Sequence, residues 1–333
     1  MSEIFNKNHY VIFCLIFIVM ILISFFDMLS IGTVIPLLSI INESTNNSDQ
    51  INYFVNNLLS NYSSSERLIY ISISILIFFL IKNIFTIINT KIISNYLLFF
   101  TAELQQRLFE KFINISYTLI LKKNSEKYIR DITIESRLIV NSYLSPIFQI
   151  IINLLTVFFF SILLLIYDLK NTIILITILL SSSLLIIFIL KPLLYKFGLI
   201  RQDTTSKIIG YIKQTFDGIR ELKIDNSDKF YLKDFKKNIE KIASTGVKRA
   251  IFGVLPRITF ELLLVTLFVV FIIFSVKSSA DLNETIMKVT IFGASALRII
   301  PSFTGIIRSY QKVNYAKSAV ETIKKIFNEK NEI

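Results

Sequence analysis

Three stretches of this chain, Tyr10 to Phe26, Leu144 to Tyr167 and Glu261 to Val276, are almost wholly apolar, and only the last carries a charge, at its first residue. Each is at or near the roughly 20 residues that cross a bilayer as a helix. Inside lipid every backbone N–H and C=O must be satisfied within the chain, so runs of this kind form helices or are not inserted. The wider composition agrees, with 53% apolar residues and a mean hydropathy of +0.62. An integral membrane protein is therefore expected. The first run continues through Asp27 to Ile41 with no small-residue cleavage site and no strongly basic start. It reads as a retained first helix rather than a secretory signal.

Hydropathy along the chain predicts six spans, at about 10–41, 67–100, 141–168, 170–195, 250–276 and 283–308. The first two runs exceed 30 residues, about 48 Å as helix against a hydrocarbon thickness of roughly 30 Å. They must tilt or project into water. Cys14 is the single cysteine and His9 the single histidine, so neither an intramolecular disulfide nor a Cys-based metal site is expected.

Charge sets the expected orientation, because Lys and Arg are retained on the cytoplasmic side. Asn42 to Ser65 contains no Lys or Arg. The segment 101–140 carries Arg107, Lys111, Lys122, Lys123, Lys127, Arg130 and Arg137, and the segment 191–250 is richer still in basic residues. Both are expected inside, with both termini. The net charge of +12 then follows from topology and anionic inner-leaflet lipid, and no nucleic-acid partner is needed.

The two inner segments alternate apolar and charged residues at helical spacing, in "TAELQQRLFEKFINISYTL" and in the region from Asp203 to Ile242. Ile208, Ile212, Phe216, Ile219 and Leu222 make one apolar stripe, read as bundle packing. The fold class expected is an all-α membrane protein of six transmembrane helices with two long cytoplasmic helical hairpins. At the hairpin tips, "LKKNSEKYIRDI" (121–132) and "RELKIDNSDKF" (220–230), Asn and Ser offer caps for a short transverse helix.

With these features in place the sequence resembles the transmembrane domain of ABC exporters, in particular the group of the bacterial lipid-linked oligosaccharide flippase. The resemblance runs through "DMLSIGTVIPLLSII", "KKNSEKYIRDITIESRLIV", "DGIRELKI" and "ALRIIPSF", in the family's order and over essentially the whole chain. It implies a type I exporter domain over 1–320, with 321–333 as the start of a linker to a nucleotide-binding domain. It also implies a homodimer or pseudo-dimer in the bacterial inner membrane. The tips would dock on the nucleotide-binding domains through Lys122, Asn124 and Lys127 in the first hairpin. Asp225, Asn226 and Asp228 would do so in the second, which reaches the opposite subunit. No G-x-x-x-x-G-K-[ST] phosphate loop occurs among the eight glycines. ATP and Mg are therefore expected on a fused or separate domain, with no catalytic residue, cofactor or metal here.

Ionisable residues within the spans are expensive, about 2.5 to 3.5 kcal/mol each at a helix centre, so each needs a partner or a polar cavity. They are Asp27, Lys82, Lys91, Arg257, Glu261, Arg298 and Arg308. Lys91 and Arg308 lie near inner ends, where their stems reach headgroups. Arg257 and Glu261, four apart, fit either a pair along one helix or a substrate role. Arg298 lies three residues before Pro301, and two readings fit it. One pairs it with Asp27 or Glu261 in a Pro-kinked packing helix. The other joins it to Arg257, Lys82 and Arg308 as a basic wall for an anionic headgroup such as pyrophosphate. In "SDQINYFVNNLLSNY", Ile51, Phe54, Val55, Leu58 and Leu59 share one helical face. That face suits either the membrane surface or, as the resemblance implies, an external helix that meets a polyprenyl tail.

The function expected is the membrane half of an ATP-driven transporter that flips or exports a lipid-linked oligosaccharide or related anionic glycolipid by alternating access. An exporter of a peptide or other hydrophobic solute has the same architecture. A membrane scaffold or sensor without an ATPase is the third class.

Overall fold

The computed structural model describes residues 7–34, 37, 62–114, 125–225, 228–277 and 282–328, and among them all regular structure is helical. Helix α1 is Lys7–Gly32, and α2 is Ser64–Ile113. A short α3, Ser125–Arg130, leads through a π-helical turn (131–135), α4 (Ser136–Ile139) and a second π-helical turn (140–144) into α5, Ser145–Tyr167. There follow α6 (Leu169–Asp217), α7 (Ile219–Asp225), α8 (Asp228–Lys277) and α9 (Leu282–Asn328).

Five of these helical stretches are long and apolar enough to cross a membrane: 11–32, 65–113, 125–167, 169–217 and 231–270. The arrangement is that of a multi-pass membrane protein. The sixth expected span, 283–308, is helical within α9 but is not among the five, and its side chains at 282–289 lie outside the described residues. Helix α2 has 50 residues, α6 49 and α8 50. At 1.5 Å per residue each is about 75 Å long, more than twice the hydrocarbon thickness, so each extends well into water.

Local sequence explains the helix boundaries. Ser63 and Glu66 form a reciprocal capping box at the start of α2, with the Ser63 N–H donating to Glu66 Oε2 at 2.9 Å. Asp168 alone connects α5 to α6. It takes an extended backbone and accepts from the Asn171 N–H at 3.1 Å, so one residue ends one helix and caps the next. Gly218 separates α6 from the seven-residue α7. At the first expected tip, α3 runs on through the π-helical turn toward α5, while 115–124 lie outside the described residues.

Helix α9 is central, packed against α5, α6 and α8, while α1 packs against α2 and α5. One apolar cluster joins Ile16 and Met20 of α1 to Tyr96, Phe100, Leu104 and Leu108 of α2, and to Ala319 and Ile323 of α9. A second joins Phe160 and Leu164 of α5, Phe260 of α8 and Ile299, Phe303 and Ile307 of α9. The stripe on α6 departs from its expected role in bundle packing. Ile212 and Phe216 are 44% and 69% exposed, so in one chain the stripe faces outward.

Helices α6 and α9 come close together at Gly198, where a Cβ would collide with the main-chain oxygen of Tyr315. Because backbone cannot step aside as a side chain can, Gly198→Ala should destabilise by about 1–3 kcal/mol. Gly246→Ala makes the same change where a Cβ meets nothing within 4 Å, and should be neutral or slightly stabilising. Thermal melts of the two variants in detergent test the difference. Equal melting temperatures would refute the close approach.

Candidate functional site

One of the two acids among the expected intramembrane charges organises two of the cations. Asp27, on α1, is buried, and its Oδ1 accepts from Lys82 Nζ of α2 at 2.7 Å. The Nη2 of Arg298, from α9, lies 3.6 Å from the same oxygen. That is an ion-pair distance but longer than a hydrogen bond. Side-chain exposure rises from 8% for Asp27 through 14% for Lys82 to 33% for Arg298. Both cations also sit 5.5 Å from the centre of the Phe79 ring. That ring, three residues before Lys82 on α2, shares its helix face and offers the negative face of its π system.

One carboxylate thus meets two cations from two other helices, leaving a net charge of +1. Lys82 takes the short contact and most of the neutralisation. Arg298 has only the looser one, so its guanidinium retains donors for another anion. Helix α9 is locally weakened here, because Pro301 has no N–H to give the carbonyl one turn back. The Ser302 hydroxyl adds a bond to the neighbouring Arg298 carbonyl at 2.9 Å. The cluster thus carries one positive charge more than its acid neutralises, on a helix that lacks one backbone hydrogen bond at Pro301.

The other expected site residues fall elsewhere. Arg257 pairs along α8 with Glu261 at 2.6 Å, and both side chains are more than half exposed. Arg308 lines a separate cavity with Arg249 of α8. Lys91 is exposed on α2, as is Lys127 on α3. Ile51, Phe54, Val55, Leu58, Lys122, Asn124 and Asn226 lie outside the described residues, as do the side chains of Asp225 and Asp228.

Sequence reasoning passed over a second charge cluster. Glu135, fully buried in the first π-helical turn, receives both terminal nitrogens of Arg201 from α6, at 2.9 and 2.8 Å. Arg130 lies 3.6 Å from Glu135, donates to Asp131 and reaches Ser206 Oγ on α6 at 2.6 Å. Gln202 then donates to Thr322 Oγ1 of α9 at 2.8 Å. Two acids balance two cations, so this cluster is a clamp that joins three elements rather than a site with charge to spare. The available signal was the density of Arg and Glu near a predicted helix start, which reads equally as a solvated face. No group of His, Cys, Asp and Glu side chains among the described residues is arranged to hold a metal. No family model matches the sequence.

Proposed function

We propose that this chain is the membrane-spanning half of an ATP-driven transporter that flips or exports a lipid-linked oligosaccharide or a related anionic glycolipid. The observation that carries the reading is the Asp27 carboxylate shared by Lys82 and Arg298, with one positive charge left over among apolar helices. A charged group held in the membrane at this expense marks a substrate path more often than a packing device. A diphosphate headgroup supplies the oxyanions that two such cations take, and bidentate contact favours Arg298 as the first anchor.

The resemblance to ABC exporters supplies the engine. ATP bound on nucleotide-binding domains drives the hairpin tips, and the bundle alternates between inward and outward cavities in the bacterial inner membrane, with both termini cytoplasmic. The basic composition of 101–140 and 191–250 supports that orientation. The exposed Ile212 and Phe216 stripe, on a part of α6 beyond the expected span, supports a homodimer in which a second copy covers it.

The test is direct binding of a polyprenyl diphosphate, against the neutral polyprenol, to the protein in nanodiscs. Wild type should prefer the diphosphate. Arg298→Ala and Lys82→Ala should each weaken it about tenfold or more, as loss of a charge-assisted hydrogen bond implies. Equal affinity for both lipids, or variants that bind like wild type, would sink the anionic-lipid reading.

A further inference from the structure

Between α6, α8 and α9 lies a cavity of about 370 Å³ whose lining carries four cations and no carboxylate. Arg201 comes from α6, Arg249 from α8, and Arg308 and Lys312 from α9. Its volume falls within the range of small-molecule sites. Arg308 is ten residues beyond Arg298 on α9, about 15 Å along the axis, so this is a different place from the Asp27 cluster.

Three features mark it as built rather than incidental. Arg201 is 9% exposed, and although its terminal nitrogens are held by Glu135, its buried Nε–H has no acceptor. A buried donor left unpaired is costly, and a small shift of the Arg201 side chain toward an oxyanion in the cavity would satisfy it. Arg249 is stacked on the Tyr315 ring, 3.8 Å from its centre, with Arg201 5.7 Å from the same ring. The ring holds two like charges in one place without neutralising either. Finally, Gly246 and Gly253 are seven apart on the α8 wall, and a Cβ at either would meet nothing within 4 Å. The wall is recessed where a larger residue would fill the space.

We propose that this cavity binds a phosphate group, and that the phosphate belongs to the headgroup of an anionic lipid. Arg249, Arg308 and Lys312 have no carboxylate partner among the described residues, whereas a phosphodiester brings acceptors to all three. The lipid source follows from where the cavity lies. The basic excess of 191–250 assigns this end to the inner leaflet, where basic pockets between helices take anionic headgroups. The site stands independently of the transported substrate.

Native mass spectrometry of the purified protein with phosphatidylglycerol, phosphatidylcholine or inorganic pyrophosphate tests it. Wild type should retain phosphatidylglycerol in preference to phosphatidylcholine. Arg249→Gln and Arg308→Gln should each weaken retention about fivefold. Gly253→Leu puts a larger apolar side chain into the cavity at a position where an added Cβ meets nothing within 4 Å, and should abolish retention with a melting temperature no lower than wild type. Retention of phosphatidylglycerol by Gly253→Leu at the wild-type level would overturn the proposal. So would an equal loss in Arg257→Gln, which removes a charge from the same helix outside the cavity. Pyrophosphate binding that Gly253→Leu removes, without any preference for phosphatidylglycerol, would keep the phosphate site and overturn its lipid source.

Discussion

Asp27→Asn should lower the stability of the protein by about 3–5 kcal/mol, the usual loss when one partner of a buried ion pair is removed. The substitution keeps size and removes charge, so Lys82 and Arg298 are left among apolar helices without a counter-ion. The measurement is the melting temperature and the monodisperse yield in detergent. Adding Lys82→Met should restore much of the loss, because Arg298 is a third exposed and reaches water. Stability and ligand affinity should move in opposite directions. Asp27→Asn raises the local charge and should bind a polyprenyl diphosphate at least as tightly as wild type, while Arg298→Ala binds it less. A purely structural cluster would show loss of stability alone, with no change in anion binding in either variant. Wild-type melting of Asp27→Asn would mean that the cluster is open to water.

The membrane helices were legible because their signal is local and summed: a run such as Leu144 to Tyr167 declares itself without reference to any other part of the chain. The break between α5 and α6 was legible for the same reason, in expected spans that end at 168 and resume at 170, whereas the cap that Asp168 makes was not among the expectations. The Asp27 cluster was legible in part. An isolated acid and isolated bases in apolar spans demand partners, and Asp27 is one of two acids the sequence offers Arg298, but which cation takes the short contact depends on helix rotation. Helical spacing gives the face of a helix and not the neighbour it meets. The apolar stripe on α6 shows this limit. Its period marks an apolar face, and only the packed chain reveals that the face turns outward.

The clamp at Glu135 was hidden for a further reason. Residues 130–135 contain acids and bases in a segment that composition assigns to water, and in a regular helix they would spread around its circumference. The π-helical turn at Asp131–Glu135 takes an extra residue per turn and shifts the following side chains around the axis. Arg130, Asp131, Glu135 and Ser136 are in consequence all buried. The partner, Arg201, is 66 residues away on a helix whose own pattern gives no sign of it.

Glu135→Ala should therefore be the most damaging substitution outside the expected spans. It leaves two buried guanidinium groups, Arg201 and Arg130, without the carboxylate that both approach, and should cost about 3–5 kcal/mol. Glu135→Gln retains an acceptor and should cost less, because a neutral amide still receives a hydrogen bond. The paired change Glu135→Met with Arg201→Met removes both charges with little change in bulk and should melt close to wild type, since apolar replacements of buried ion pairs are often neutral or stabilising. Hydrogen exchange locates the damage. In Glu135→Ala, protection should fall in 125–135 and 198–210 together, because Arg201 and Arg130 join these two segments directly, while the region around Asp27 stays protected. Uniform loss of protection would instead mean that Glu135 contributes to the stability of the whole bundle and not to a joint between α3 and α6. Glu135→Ala with wild-type exchange in both segments would show that the clamp holds nothing.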